Sequence, residues 1–525
     1  MRSSGRILLL LSIAAVSRLP AADHFLTIGG GYEPQGNQVS LERNVEFFAQ
    51  VLAEQRPDNP PHDIYFADGD DRHRDLQFRD PDFDCSPGRR LGIELFGEFD
   101  SLDIAYRNHN VQNVLAETSP RRIRDRLREL GRQMSAGDRL MLYATAHGGS
   151  GEEKTPYNTT LYTWNHRSVR ASELASWLND LPQTTPVVMV MVQCYAGGFS
   201  HVIYNDANPA KDLSPQLRAG FFAQVHDRPA AGCTPDVDKQ TYQEYSTYFW
   251  AALAGHDRAG VAVTDTDLDG DGVTSMAEAH AYAVCESETV DIPIRTSDEY
   301  LRYYSTDGGA ALSLYEQANP SSGPQRSPSG ELVEAKGPLA DLLRHARPID
   351  RAIVDRLLEK LGLDPSGGVE QVERALAQAR QQVSRDRRSA SRASSNYRRT
   401  RDRLASGARR EWPELDAELS PMLAALLAER ADEFERQVSA MPGYSSLVGQ
   451  RAEKERTADA LLDAKKDEAL VLRLEHMLDR VARDANLPKV ASPQLVDRYN
   501  QLLALESSTL APLGDGPLQQ TTFRE

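Results

Sequence analysis

Two positions in this 525-residue chain place a reactive side chain and glycines at the end of an apolar run. LMLYATAHGG puts His147 before Gly148 and Gly149, and VVMVMVQCYAGG puts Cys194 shortly before Gly197 and Gly198. A thiol is nucleophilic at neutral pH once a base takes its proton, and an imidazole beside it can do so. Glycine next to each lets a substrate carbonyl approach the backbone and frees N–H groups to hold an oxyanion. A lone cysteine is most often a buried structural thiol. The pair, 47 residues apart with one amphipathic segment between them, points to acyl-transfer chemistry.

A second pattern is as specific. Asp267-Leu-Asp269-Gly-Asp271-Gly272-Val273-Thr-Ser275-Met-Ala-Glu278 fits D-x-[DN]-x-[DN]-G-x5-E, the calcium loop of EF-hands. The expected Ca2+ ligands are the carboxylates of Asp267, Asp269 and Asp271, the Val273 carbonyl, Ser275, and Glu278 through both oxygens. Thr274 replaces the usual aliphatic residue and no clear helix enters before Asp265, so a lone structural site is expected rather than a paired sensor. Asp68, Asp70, Asp71 and His73 match no strong metal template and read as an acidic loop.

The elements that position these residues follow from periodicity. From Asp23 to about Glu316, short apolar runs alternate with amphipathic segments, the pattern of a mostly parallel sheet flanked by helices. Strands are expected at Phe25–Ile28, Asp63–Phe66, Arg139–Ala146 and Val187–Val192, and a helix at Pro120–Met134 behind Ser119. In such sheets ligands bind at the carboxyl ends of strands, where His147 and Cys194 stand. A Pro/Ser/Gly-rich linker spans residues 317–335. Residues 336–525 carry helical periodicity, broken near Pro442-Gly443 and Pro488, and form a C-terminal all-α region.

His147-Gly148-Gly149-Ser150-Gly151 and Cys194-Tyr195-Ala196-Gly197 resemble the H-G-x-x-G and C-x-x-G motifs of caspase-like cysteine peptidases of the legumain type. The resemblance implies a caspase-like α/β peptidase domain over residues 23–316. It makes Cys194 the nucleophile, His147 the general acid and base, and the N–H groups of Gly148 and Cys194 the oxyanion hole. It also implies a substrate pocket involving Gln193, Arg43 before the first helix, and Asp227 in the His226-Asp227-Arg228 segment. Ala146 and Val192-Gln193 depart from the family, and its imidazole-orienting asparagine has no match in Gly29-Gly30-Gly31-Tyr32. The helical region would shield the active site or dock a protein partner.

Composition bounds the rest. A net charge of −17 argues against a nucleic-acid binder. Arg2 and Arg6, the apolar Ile7–Val16 stretch and Ala21-Ala22 read as a signal peptide over residues 1–22, whose removal takes three arginines and deepens the charge to −20. No later run reaches the length of a transmembrane helix. The expected protein is therefore secreted or periplasmic, with two of Cys85, Cys233 and Cys285 free to pair. Its expected activity is calcium-stabilised endopeptidase action on protein or peptide substrates. Peptide ligation by the same dyad and non-catalytic calcium-dependent binding are the alternatives.

Overall fold

The computed structural model describes residues 22–97, 99–232, 243–305, 329–412, 415, 425–426 and 428–512. The signal segment apart from Ala22, most of the linker and Cys233 lie outside the described residues. Seven strands form the central sheet: β1 Asp23–Gly29, β2 His62–Phe66, β3 Val114–Ala116, β4 Arg139–Thr145, β5 Val187–Met191, β6 Arg218–Phe222 and β7 Ile294–Arg295. Their order is β7-β6-β5-β4-β1-β2-β3. All pairs are parallel except the β6–β7 edge.

Every residue of β4 and β5 is buried, which is why both read as unbroken apolar runs: helices cover the two faces of the sheet. Alternation along β4 sends Met141 and Tyr143 to one face with Phe48, Trp250 and Tyr300. Leu140, Leu142 and Ala144 face Ile123, Leu127, Leu174 and Leu178 on the other. Helix Pro120–Gln133 starts where Ser119 Oγ accepts the Arg122 N–H. Between β4 and β5 the chain forms helix Ala171–Leu178 and, in addition, a small antiparallel sheet of Gly148–Gly149, Thr160–Thr163 and Arg167–Arg170. The apolar pattern gave no sign of that sheet, because its strands are two to four residues long.

The C-terminal region is helical, and two long helices, Glu370–Glu411 and Tyr444–Val490, dominate it. They run antiparallel, since Arg380 faces Glu468 while Lys454 lies over Tyr397. The second helix ends near Pro488, two residues beyond it at Val490. The proline sits in the last turn, where a missing N–H forfeits one hydrogen bond, and after the break Ser492 caps Pro493–Glu506. This region shares its packing with the sheet: Leu487, Tyr499, Leu502 and Leu505 lie in one core with Phe48, Tyr143 and Trp250. Among the described residues no helix is long and apolar enough to cross a membrane.

Candidate active site

The register of the sheet aligns the two reactive residues. Ala144 of β4 pairs with Met191 of β5, and the next step is held by the Val192 N–H to the Ala144 carbonyl, 3.0 Å. His147 and Cys194 each follow that pair by three residues, at the carboxyl edge of adjacent strands. Their turns touch: a Cβ on Gly148 would lie 2.2 Å from the Cys194 carbonyl oxygen and 2.7 Å from Gln193 Cγ. Only glycine fits there, independent of any need for unusual dihedrals.

The small sheet orients Gly148. The Tyr162 N–H donates to the His147 carbonyl, 2.9 Å, and Gly148 pairs with Leu161. Antiparallel ladders alternate bonded and non-bonded pairs, so the Gly148 N–H turns away from the ladder. After Cys194 the chain reverses through Tyr195, held at φ +61° and tied by its N–H to the Arg228 carbonyl, 3.0 Å. A left-handed non-glycine residue next to Cys194 is strained backbone that its surroundings hold in place.

The imidazole of His147 is fixed without an asparagine. Its Nε2 lies 2.8 Å from the Gly36 carbonyl oxygen and 2.9 Å from Gln38 Oε1. Carbonyl oxygens accept only, so Nε2 carries the proton and donates to them. Tyr32 packs edge-on against the ring at 5.3 Å. Sequence reasoning missed Gly36, Gln38 and Tyr32 because they stand over a hundred residues before His147. The signal was the glycine run: a Cβ on Gly31 would lie 2.1 Å from Gly36 O, so the turn after β1 closes on the segment that holds the histidine.

The pair rests neutral. Burial pulls the His147 imidazole below its ordinary value, against a smaller opposing effect of Gly36. Burial pushes the Cys194 thiol up, with the Asp291 carboxylate adding to the rise and the Ala230 N–H opposing it. Gln193 is 1% exposed, and neither its Nε2 nor its Oε1 has a partner; it lies under Gly148 as a buried amide rather than an open wall.

Arg43 lies within helix Val39–Gln55, not before it, and pairs with Glu46 at 3.0 Å; the helix starts at Val39 because Gln38 is in an extended conformation. Asp227 is exposed. Its neighbour His226 packs at a tilt against Tyr157, centroids 4.0 Å apart, and burial draws the His226 ring down to about 4.

In the loop Asp267–Glu278, oxygens of Asp267, Asp269 and Asp271 come within 4.8 Å of one another. Asp267 accepts the N–H groups of Gly270 and Gly272, at 2.7 and 2.9 Å, which folds the loop so that the carboxylates converge. Val273 is exposed at the expected carbonyl position. Ser275 and Glu278 form a reciprocal capping box for helix Met276–Glu286. Glu278 Oε1 also accepts the N–H groups of Leu268 and Asp269. Three aspartates thus suit a hard cation as they stand, whereas Glu278 would exchange backbone donors for it. Cys85, Cys194 and Cys285 are free thiols.

No family profile and no curated protein matches the sequence. Among solved structures, protein GSU0716 from Geobacter sulfurreducens aligns at a TM-score of 0.24 and 12% identity, over 40% of this chain and 75% of that one.

Proposed function

We propose that the chain is a caspase-like cysteine endopeptidase of the legumain type, using Cys194 and His147. The observation that carries this reading is the in-step placement of the two residues past the Ala144–Met191 pair, with Gly148 against the Cys194 carbonyl. His147 Nδ1 takes the thiol proton as sulfur attacks the peptide carbonyl, since the neutral resting pair favours general-base activation over a preformed thiolate. The oxyanion rests on the N–H groups of Gly148 and Cys194, and His147 returns the proton to the departing amine. Water, losing a proton to His147, then cleaves the thioester and releases the acid.

Export and calcium belong to the same reading. Asp267, Asp269 and Asp271 would hold Ca2+, with Val273, Ser275 and Glu278 completing the set, and the ion would stiffen the entry to helix Met276–Glu286. The proposal is tested with a peptide library and the purified chain. Cys194→Ala should abolish cleavage while circular dichroism stays unchanged; full activity in that variant sinks it.

A further inference from the structure

A second cluster of ligating groups lies on the same edge of the sheet, two residues past the end of β2. One ring nitrogen of His109 and a carboxylate oxygen from each of Asp68 and Asp75 come within 4.8 Å of one another. This is a built site rather than an acidic surface patch: Asp75 is 1% and His109 7% exposed. His109 Nε2 lies 2.7 Å from the Gly69 carbonyl oxygen. That contact requires the proton on Nε2 and leaves Nδ1 a bare lone pair, and Nδ1 is buried with no partner. A histidine donating one N–H to a backbone carbonyl and offering the other nitrogen has the arrangement of metal-bound imidazoles. Asp68 Oδ1 is likewise buried, with the Asp75 carboxyl as its neighbour.

Asp75 is held firmly. Its Oδ1 accepts the His109 N–H at 3.2 Å and its Oδ2 accepts Asn37 Nδ2 at 3.0 Å. Burial, then the Asp75 charge, pushes Asp68 up to about 8. Arg107, within reach of the Asp75 charge, is committed to Glu42 through both terminal nitrogens.

We propose that Asp68, Asp75 and His109 bind one divalent cation of the Zn2+ or Mn2+ class. One imidazole nitrogen with two carboxylates suits these ions better than Ca2+, which prefers an all-oxygen shell. The site reaches the dyad through one residue. Asn37 donates to Asp75 and accepts the Gly31 N–H at 2.9 Å, and it lies between Gly36 and Gln38, the two acceptors of His147 Nε2. A cation fixing Asp75 therefore fixes the segment that orients the imidazole. This link rests on the peptidase reading; the binding itself does not.

The test uses the full chain carrying Cys194→Ala, so that the dyad thiol takes no metal, freed of metal by chelation and kept in saturating CaCl2. Calorimetric titration with ZnCl2 and MnCl2 should show one equivalent bound. Asp68→Asn and His109→Gln should each weaken it by at least about ten-fold, while Asp267→Asn leaves it unchanged. Asp68 is partly exposed, so its variant stays informative should His109→Gln fail to fold. Absence of binding, or binding unaltered in Asp68→Asn, overturns the proposal; absence together with a raised melting temperature in Asp68→Asn identifies a proton-sharing carboxyl pair instead. With Cys194 restored, MnCl2 should raise peptide hydrolysis by the parent and not by Asp68→Asn. Metal binding without hydrolysis by any form leaves the cation site standing and removes the peptidase reading.

Discussion

Gly148 makes the sharpest demand of any single residue at the site. A methyl group there has no room between the Cys194 carbonyl and Gln193, so Gly148→Ala must move either the small sheet or the cysteine turn. Hydrolysis is expected to fall by about 100-fold or more, since small displacements of reacting groups are costly, with stability lowered by only about 1–3 kcal/mol. Wild-type activity in that variant would place the oxyanion donors elsewhere. The dyad also sets the pH profile. With His147 drawn below 6.5 and Cys194 raised above 9.0, kcat/KM should stay level through neutrality and decline on the acid side only below about pH 6.5, as Nδ1 gains a proton. An acid limb centred above 6.5 would show a charged resting imidazole and contradict the burial seen here. His147, Cys194 and Gly148 were legible in the sequence because each motif is local. The partners of His147 were not, because Gly36 and Gln38 meet it only through the β1–β4 pairing.

Two elements carry separable roles. The Ser275–Glu278 box caps helix Met276–Glu286 through the protein's own hydrogen bonds, so chelating calcium should lower the melting temperature by a few degrees rather than unfold the chain, with Asp269→Asn abolishing that shift. Identical melting curves with and without chelator would remove the calcium reading. Glu278→Gln should cost about 1 kcal/mol even in chelator, because an amide has one acceptor oxygen and cannot take both the Ser275 N–H and the N–H groups of Leu268 and Asp269. The strand ends behave differently from the helix ends. Arg139–Ala146 and Val187–Val192 were readable almost to the residue because doubly covered strands are apolar throughout. Pro488 lies in the last turn and the helix ends two residues later, so the break falls near it, as the loss of its bond to the preceding turn leads one to expect.

For the molecule as a whole, a buried charge network joins the C-terminal helices to the sheet. Asp350 accepts from Arg295 at 2.8 Å and from Arg480 Nε at 3.1 Å, Arg480 also pairs with Asp298, and Glu506 accepts from Thr296 and Ser297. Arg473 donates to the carbonyls of Val284, Ser287, Thr289 and Asp291. Asp291 in turn takes the Ala231 N–H beside the cysteine loop. Removing one partner strands a buried charge, so Asp350→Ala should cost about 3–5 kcal/mol in urea denaturation. A loss under 1 kcal/mol would show that the helical region contributes little to the fold. From the sequence alone came the sheet's apolar strands, the candidate pair His147 and Cys194, the acidic loop Asp267–Glu278 and the helical character of the C-terminal region, because each is written in neighbouring residues or in a short period. Only the tertiary structure decided what orients His147, which acidic residues gather with His109, and that the last helices share the core of the sheet. Those depend on contacts between residues tens to hundreds of positions apart, which no local pattern records.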